Sequence, residues 1–419
     1  MNRRSFLQAA SAALLLPASA ARAQANAQVV VIGGGFGGAT CIRYLREFAP
    51  RARITLVEPS AEFIACPMSN RTLHGMLSVR DLARAYSDFA GRHGINWVRD
   101  SVSAIDPARR ELSLAGGKKL AYDRLVVAPG VEFLYDGLKG MESPAARQKI
   151  LHAWKAGDQT VALRDRLHAL PDGATIAMHI PKVPYRCPPG PYERASLIAY
   201  YLKTNRPKSK LLVFDANPDI QSKRDLYLQA WKTHYTSILE YVPNADIALV
   251  DAAANVLDFS VQGKVKADLW NVIPPQRAGA IALAAGLANV GGRWCGVDFL
   301  SYESAVHPGI HVLGDAIAGS PGMPKSGHMA NQEGKVCASA IALMLAGQAP
   351  VAKVAIANTC YSFVTHRDAI HVAAVYRYDP ASKQMVATKG AGGLSSEASS
   401  VEGIYAMAWF SNIMSDTLG

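Results

Sequence analysis

The stretch QVVVIGGGFGGATCIRYLREFAPRARITLVE, residues 28–58, decides the fold of the first domain. It opens with an apolar run, passes through three glycines in GxGxxG spacing, and ends in Glu58 after a second apolar run. This order predicts a strand, a tight turn, a helix and a second parallel strand. Gly33 would permit the turn, Gly35 would let a pyrophosphate approach the backbone, and Gly38 would let the helix pack closely on the strand.

The acid at the end of this unit completes the pattern of a dinucleotide site. The helix N-terminus would stabilise phosphate groups, because its free N–H groups and its dipole favour anions. Glu58 lies where a carboxylate accepts hydrogen bonds from a ribose. Strand, glycines, helix and terminal acid stand in register, so the segment predicts dinucleotide binding.

Two later strands indicate which dinucleotide is bound. YDRLVVAPGVEF (residues 122–133) is a strand that runs into Gly130, and HPGIHVLGDAIAGSPGMPKSGHMANQEGK (residues 307–335) contains a strand that ends in Gly314 and Asp315. Together with the first glycines, these segments resemble the flavoproteins that carry two dinucleotide-binding domains. In those proteins the late Gly-Asp pair hydrogen-bonds the ribityl chain of FAD, so the resemblance implies FAD as the cofactor.

The expected fold is therefore α/β, with two Rossmann-like dinucleotide-binding domains of the FAD/NAD(P)-linked disulfide reductase type and a small α+β carboxy-terminal domain. With 419 residues, half of them hydrophobic, the chain is long enough for two or three domains. The expected boundaries are an export signal at residues 1–23, a discontinuous FAD domain at 28–148 and 270–348, a degenerate NAD-like domain at 149–269, and the carboxy-terminal interface domain at 349–419.

The second nucleotide-binding unit lacks its glycines. GATIAMHIPKVPYRCPPGPYERAS, residues 173–196, begins as a buried strand, but prolines around Cys187 replace the expected turn. A helix and a strand that ends in Asp215 follow, as in an intact unit. Proline lacks the N–H donor and the φ freedom that a close pyrophosphate contact needs. We infer that NADH is not the redox partner and that chemistry at Cys187 takes its place.

The first residues, MNRRSFLQAASAALLLPASAARAQ, have the features of an export signal. Arg3 and Arg4 precede an apolar run, and a small-residue cleavage site follows at Ala21-Arg22-Ala23. The pattern predicts export by the twin-arginine route to the periplasm. A membrane anchor is the alternative, but the run is shorter than the roughly 20 residues that span a bilayer. No transmembrane segment is expected.

Charge and cysteine content narrow the partners. The net charge is +11, and loss of the three arginines of the signal still leaves a basic protein, which suits an anionic substrate or an acidic partner. No basic run with interleaved aromatic residues occurs, so nucleic acid is not an expected partner, and no metal site is predicted. The six cysteines do not form a CxxC or a CxxCH motif, so a haem c would have to lie on a separate chain.

Several segments together resemble one family. They are YRCPPGPYERAS (185–196), PPQRAG (274–279), WCGVD (294–298), MPKSG (323–327), NTCYS (358–362) and the terminal WFSNIMSDTLG (409–419). In these residues the chain resembles the flavoprotein subunit of flavocytochrome c sulfide dehydrogenase over nearly the whole length that follows the signal.

The resemblance implies roles for particular residues. Cys66, in FIACPMSN, would hold FAD covalently through the 8α carbon of the flavin, although the following Pro67 departs from the family pattern. Cys187 and Cys360 would form a redox-active disulfide, for which a purely structural bridge is the alternative. Glu193 would act as an acid and base beside the disulfide, or simply favour the start of its helix.

The remaining implied residue is Lys325, which would stabilise negative charge on the reduced flavin, with a surface lysine as the alternative. The implied activity is oxidation of hydrosulfide to zero-valent sulfur or polysulfide, with electrons passed to a c-type cytochrome subunit in a heterodimer. Two other functions stay open: a membrane-associated sulfide:quinone reductase, and an accessory flavoprotein that reactivates a sulfur-oxidation complex. The sequence also leaves open which cysteine reacts with hydrosulfide.

Overall fold

A computed structural model describes residues 27–419, so the predicted export signal lies outside the described residues. The strands are β1 (Gln28–Ile32), β2 (Arg53–Val57), β3 (Glu62–Ile64), β4 (Ala83–Ala85), β5 (Asn96–Val98), β6 (Val102–Asp106), β7 (Glu111–Leu114), β8 (Lys119–Ala121), β9 (Arg124–Val127), β10 (Val131–Phe133), β11 (Thr175–Ile180), β12 (Lys210–Asp215), β13 (Leu239–Val242), β14 (Ile247–Asp251), β15 (Val256–Phe259), β16 (Gly263–Lys266), β17 (Leu269–Val272), β18 (Gln276–Ala278), β19 (Val297–Asp298), β20 (Glu303–Ser304), β21 (Ile310–Val312), β22 (Ala355–Phe363), β23 (Ala369–Asp379) and β24 (Gln384–Leu394). The α-helices are α1 (Phe36–Phe48), α2 (Arg71–His74), α3 (Tyr86–His93), α4 (Pro144–Lys149), α5 (Asp158–Ala169), α6 (Gly190–Asn205), α7 (Arg224–His234), α8 (Ala280–Ala284), α9 (Gly327–Leu345) and α10 (Ser400–Leu418).

The first sheet joins two distant parts of the chain. Its order is β19-β20-β21-β9-β1-β2-β5, and the strands from β21 to β5 are parallel. Helices α1 and α9 pack closely against each other. The distance between them is so short that a Cβ at Gly334 would lie only 2.7 Å from the carbonyl oxygen of Gly37. The pattern of apolar runs in residues 28–58 thus produces the strand, turn, helix and strand that the sequence predicts.

The second sheet has the order β13-β12-β11-β17, with all four strands parallel. Along the chain, α6 follows β11 and precedes β12. The proline turn therefore lies between β11 and α6, at the position of the nucleotide-binding turn in an intact unit. The expected boundary at residue 270 falls inside β17, which pairs with β11 through four residues. Strand β17 thus joins the second sheet, and an isolated apolar strand in the sequence does not reveal which sheet it joins.

The carboxy-terminal segment forms a three-stranded antiparallel sheet, β22-β23-β24, followed by α10. The helix packs back on α1 and on β23, and β22 lies against α6 and α9. This arrangement brings Cys360, in the middle of β22, to the junction of the two parallel-sheet domains. Within residues 27–419 no helix has the length and apolar character required to cross a bilayer.

Candidate active site

One cavity lies where the carboxyl ends of β1, β9 and β21 face the proline turn and β22. Of the site residues predicted from the sequence, all but one line this cavity. They are Gly33, Gly35, Glu58, Cys66, Gly130, Cys187, Glu193, Gly314, Asp315, Lys325 and Cys360. The exception, Gly38, lies behind the first turn, where it permits close packing of α1 on β1.

The first turn has the geometry that its glycines predict. Gly33 adopts φ +89°, a left-handed conformation that favours glycine. A Cβ at Gly38 would lie 2.0 Å from the Gly33 carbonyl oxygen, whereas a Cβ at Gly35 would meet no atom within 4 Å. Glu58 accepts a hydrogen bond from the Gly34 N–H at 3.1 Å. The open space at Gly35 and the placed carboxylate fit a pyrophosphate and a ribose.

Asp315 offers direct support for a bound polar group. The carboxyl is buried, and its Oδ1 has no hydrogen-bond partner in the described part of the chain. A buried acceptor without a donor is costly, so this oxygen fits a hydroxyl donor such as the ribityl chain of FAD. Burial raises the pKa of Asp315, and the nearby charges of Arg186 and Lys325 oppose that rise.

Lys325 is part of the cavity wall and not a surface lysine. Its Nζ donates to the carbonyl oxygens of Asp315, at 3.1 Å, and of Ile317. The ammonium also lies 3.8 Å from the ring centroid of Trp294, which is a favourable cation–π distance. Burial lowers the pKa of Lys325 to about 8. A cation held in this way can stabilise negative charge that develops inside the cavity.

Cys66 lies on the same cavity and contacts a buried arginine. The guanidinium of Arg186 donates to the Cys66 sulfur at 3.4 Å and to the carbonyl oxygen of Trp154. Another cysteine close to the first turn, Cys41, is fully buried in α1 beside the buried Cys337 of α9. Of the two, only Cys66 faces the space where a flavin would lie.

Cys187 and Cys360 meet although 173 residues of sequence separate them. Both are free thiols in the structure, and they are within hydrogen-bonding distance of each other. Cys187 has φ +57°, and its N–H donates to the Lys325 carbonyl oxygen at 2.7 Å. The hydrogen bond between the thiols raises the pKa of Cys187 and lowers that of Cys360 to about 7. Such a pair can exchange between dithiol and disulfide.

Glu193 connects the cysteine pair to both neighbouring domains. It lies in the first turn of α6, and its carboxylate accepts from the Phe363 N–H at 2.9 Å and from the Asn70 amide at 2.7 Å. Burial raises the pKa of Glu193, so the carboxyl retains its proton to a higher pH than an exposed glutamate. A group of this kind can hold or release a proton beside the cysteines.

The structure adds residues that the sequence analysis missed. Arg186 lies next to Cys187 in the sequence yet reaches Cys66, and Glu333 of α9 accepts from the Gly314 N–H at 2.7 Å. Lys223 at the start of α7 contacts the backbone of Cys360. Only the position of Arg186 beside Cys187 could have suggested a role, because the other two approach the site from distant segments.

In the second nucleotide-binding unit, the acid at the end of the strand is already hydrogen-bonded by other residues of the protein. Asp215 ends β12 and is fully buried, and its carboxylate accepts from the hydroxyls of Tyr192 at 2.7 Å and Tyr241 at 2.9 Å. The backbone N–H and the side-chain amide of Asn217 also donate to it. Because these donors hold the carboxylate, it does not present free acceptors to a ribose.

Three parts of the chain match profiles of known protein families. Residues 160–274 match the family profile described as the central part of the sulfide dehydrogenase [flavocytochrome c] flavoprotein chain, and residues 352–418 match the flavin-binding profile of flavocytochrome c sulphide dehydrogenase. Residues 27–168 match the pyridine nucleotide-disulphide oxidoreductase profile.

Among curated relatives, the chain is 23% identical to a mitochondrial sulfide:quinone oxidoreductase of Dictyostelium discoideum, over 69% of this chain and 65% of the relative. The chain thus spans less than two thirds of that protein. It is 56% identical over 43 residues to the sulfide dehydrogenase [flavocytochrome c] flavoprotein chain of Chlorobaculum thiosulfatiphilum, which is 10% of this chain and 90% of that sequence.

Solved structures show the same fold. The sulfide:quinone oxidoreductase from Aquifex aeolicus superposes with a TM-score of 0.75 and 19% identity, covering 93% of this chain and 91% of the other. The putidaredoxin reductase–putidaredoxin complex gives a TM-score of 0.65 with 16% identity, covering 92% and 93% of the two chains. The expected α/β fold of the FAD/NAD(P)-linked disulfide reductase type is confirmed.

Proposed function

We propose that the chain, whose residues 160–274 and 352–418 match profiles of the flavocytochrome c sulfide dehydrogenase flavoprotein, oxidises hydrosulfide to zero-valent sulfur or polysulfide and passes the electrons to a c-type cytochrome subunit. The observation that carries the proposal is the meeting of Cys187 and Cys360 on the cavity that the dinucleotide turn opens into. The disulfide form of this pair can be attacked by a small sulfur nucleophile, and the thiolate that the attack releases lies where a flavin would receive its electrons.

In the proposed reaction the working pair is the disulfide of Cys187 and Cys360. Hydrosulfide attacks one sulfur, the bond between the cysteines breaks, and the other sulfur leaves as a thiolate. FAD, when bound, supplies the ability to take up an electron pair and release electrons singly. Glu193 holds or transfers the proton that accompanies these steps, since its carboxyl is buried and its pKa is raised.

The residues of the cavity would bind and orient FAD. The first turn would receive the pyrophosphate, Glu58 the ribose, and the unpaired Oδ1 of Asp315 a ribityl hydroxyl. We propose covalent attachment through Cys66, because its sulfur faces the cavity and accepts a hydrogen bond from the Arg186 guanidinium. Lys325 would stabilise negative charge on the reduced cofactor.

The identity of the electron acceptor is the finer part of the proposal. Two of the matching profiles come from flavocytochrome c sulfide dehydrogenases, which favours a cytochrome subunit carrying haem c as a partner chain. A groove adjoins the cavity and shares His328, Tyr361 and Trp409 with it, so an acceptor bound there would lie close to the flavin. The similarity to sulfide:quinone oxidoreductases favours quinone as the second candidate acceptor.

Two further parts of the proposal concern the cellular compartment in which the protein acts and the electron donor that reduces it. The twin-arginine pattern supports action in the periplasm. The proline turn and the internally bonded Asp215 support hydrosulfide, and not NADH, as the source of electrons.

The first experiment adds sulfide, and separately NADH, to the purified anaerobic holoprotein and follows bleaching of the oxidised flavin absorbance. We expect bleaching by sulfide that is lost in Cys187→Ser and in Cys360→Ser, and none by NADH. Bleaching by NADH, or by sulfide in both variants, would contradict the proposal. Reoxidation of the reduced protein by a soluble c-type cytochrome, compared with a short-chain quinone in detergent, then decides between the two acceptors.

A further inference from the structure

Lys223 is a buried cation that the steps above do not use. Its side chain is 4% exposed, and its backbone adopts φ +56° just before α7. A lysine is almost never fully buried without a partner, and a non-glycine residue in the left-handed region is strained. Burial of the charge and the left-handed backbone both disfavour a lysine at this position, so its presence indicates a functional role for the ammonium.

The contacts of Lys223 all lie on the sheet that carries the cysteine. The Nζ donates to the carbonyl oxygen of Cys360 at 2.9 Å, to the hydroxyl of Ser362 at 2.7 Å and to the carbonyl oxygen of Ile370 at 3.5 Å. These acceptors are neutral, and within residues 27–419 Lys223 forms no ion pair with a carboxylate. A buried cation without an anion is unfavourable, so an anion that forms beside it during turnover would be stabilised.

The titratable groups around Lys223 come from every element packed on it. They are Cys360 on β22, Cys187 and Glu193 at the start of α6, Tyr227 on α7 and Glu402 on α10. Burial lowers the pKa of Lys223, and the neighbouring sulfurs and carboxylates oppose that effect. The hydrogen bond from Cys187 lowers the pKa of Cys360 to about 7, and the charge of Lys223 acts in the same direction.

Within the proposed function, we propose that Lys223 is the counter-charge of a thiolate released at Cys360, so that hydrosulfide attacks Cys187. The HS⁻ sulfur forms a bond to the Cys187 sulfur while the Cys187–Cys360 bond breaks. The electron pair of the broken bond leaves on the Cys360 sulfur, and the persulfide forms on Cys187. The better stabilised thiolate is the better leaving group, which sets this direction of attack. Lys223 thus acts through Cys360 and does not touch the substrate.

One test measures ionisation of the Cys360 thiol in the absence of sulfide. The holoprotein is reduced to the dithiol and freed of reductant, and carbamidomethylation of Cys360 by iodoacetamide is followed against pH by peptide mass spectrometry. In Lys223→Met the reaction at pH 7 should slow at least about fivefold, because a thiol whose pKa is about 7 is half ionised at this pH and loss of a nearby opposite charge raises a pKa by at least about one unit. Lys223→Arg should restore most of the rate, and Lys182→Met, at an exposed lysine of the same domain, should leave it unchanged. An unchanged pH profile in Lys223→Met overturns the inference.

A second test locates the persulfide and needs only the native sequence. The oxidised protein receives less than one equivalent of sulfide without oxygen, is alkylated at once, and is digested for mass spectrometry. We expect the extra sulfur on the Cys187 peptide, and its appearance on the Cys360 peptide overturns the direction of attack. If sulfide left both peptides and the flavin unchanged, the proposed function would fail, while the alkylation profile would still decide whether Lys223 stabilises the Cys360 thiolate.

Discussion

Substitution of Arg194 by methionine tests how the structure holds the cysteine site together. The side chain is 2% exposed, and its guanidinium donates to Asn70 Oδ1 at 3.0 Å, to the carbonyl oxygens of His152 at 2.7 Å and Ala153 at 2.6 Å, and to Asn271 Oδ1 at 2.9 Å. The variant Arg194→Met keeps similar bulk but leaves three of these acceptors without a donor, since the His152 carbonyl oxygen still accepts from the Asn271 amide at 2.9 Å. Each lost partner is unfavourable by about 1–3 kcal/mol, so the loss of three should cost at least about 3–5 kcal/mol in total.

The assay is thermal unfolding of the holoprotein at pH 7, followed by near-ultraviolet circular dichroism and by flavin release. A loss of about 3–5 kcal/mol should lower the midpoint by several degrees. Arg109→Met is the matched control, because Arg109 is 77% exposed and its contact with Asp106 is 3.8 Å long, so its contribution is about 0–1 kcal/mol. If the two variants lost the same stability, the argument from the buried network would be wrong.

Three further predictions concern the cofactor and the proton. Gly38→Ala should lower the FAD content of the purified protein at least severalfold, because its Cβ would lie 2.0 Å from the Gly33 carbonyl oxygen, whereas Gly91→Ala, with open space around it, should not. Cys66→Ser should release all flavin on acid precipitation while the native protein retains it in the pellet, and release from both would refute covalent attachment. Burial raises the pKa of Glu193. Above the ordinary carboxyl pKa, the folded state therefore binds more protons than the unfolded state. Glu193 then destabilises the fold as pH rises from the unfolded-state pKa to the folded-state pKa. Glu193→Gln should therefore gain thermal stability relative to the native protein as pH increases from about 4.5, and a constant difference across pH would contradict this.

The sequence predicted the first nucleotide unit in detail because that unit is local. The glycines, the helix and Glu58 lie within 31 residues, and each has a conformational reason that acts on its neighbours. The same reasoning predicted the proline turn. The sequence does not indicate which sheet β17 joins, because that is determined by tertiary pairing with β11.

The prediction of the cysteine site depended on resemblance. Nothing in residues 187–360 requires the two thiols to meet, since β22 approaches the proline turn through tertiary packing on α6 and α9. The buried residues around the cysteine pair could not be predicted from local sequence either. Lys223 and Asn70 have the sequence character of ordinary polar residues, and their burial beside Cys360 and Glu193 follows from contacts over long sequence separations.

The geometry also explains how a nicotinamide-type domain can serve sulfur chemistry without a change of fold. In an intact unit the turn before the helix presents N–H groups to a phosphate, whereas here the turn presents the Cys187 sulfur at the start of α6. A side chain at Gly190 would place its Cβ 2.9 Å from that sulfur, so the helix start remains small to admit the thiol. The carboxy-terminal sheet then supplies Cys360 from the opposite side. Both sulfurs thereby line the same cavity as the dinucleotide turn, which is the arrangement that the proposed electron transfer from sulfide to a flavin requires.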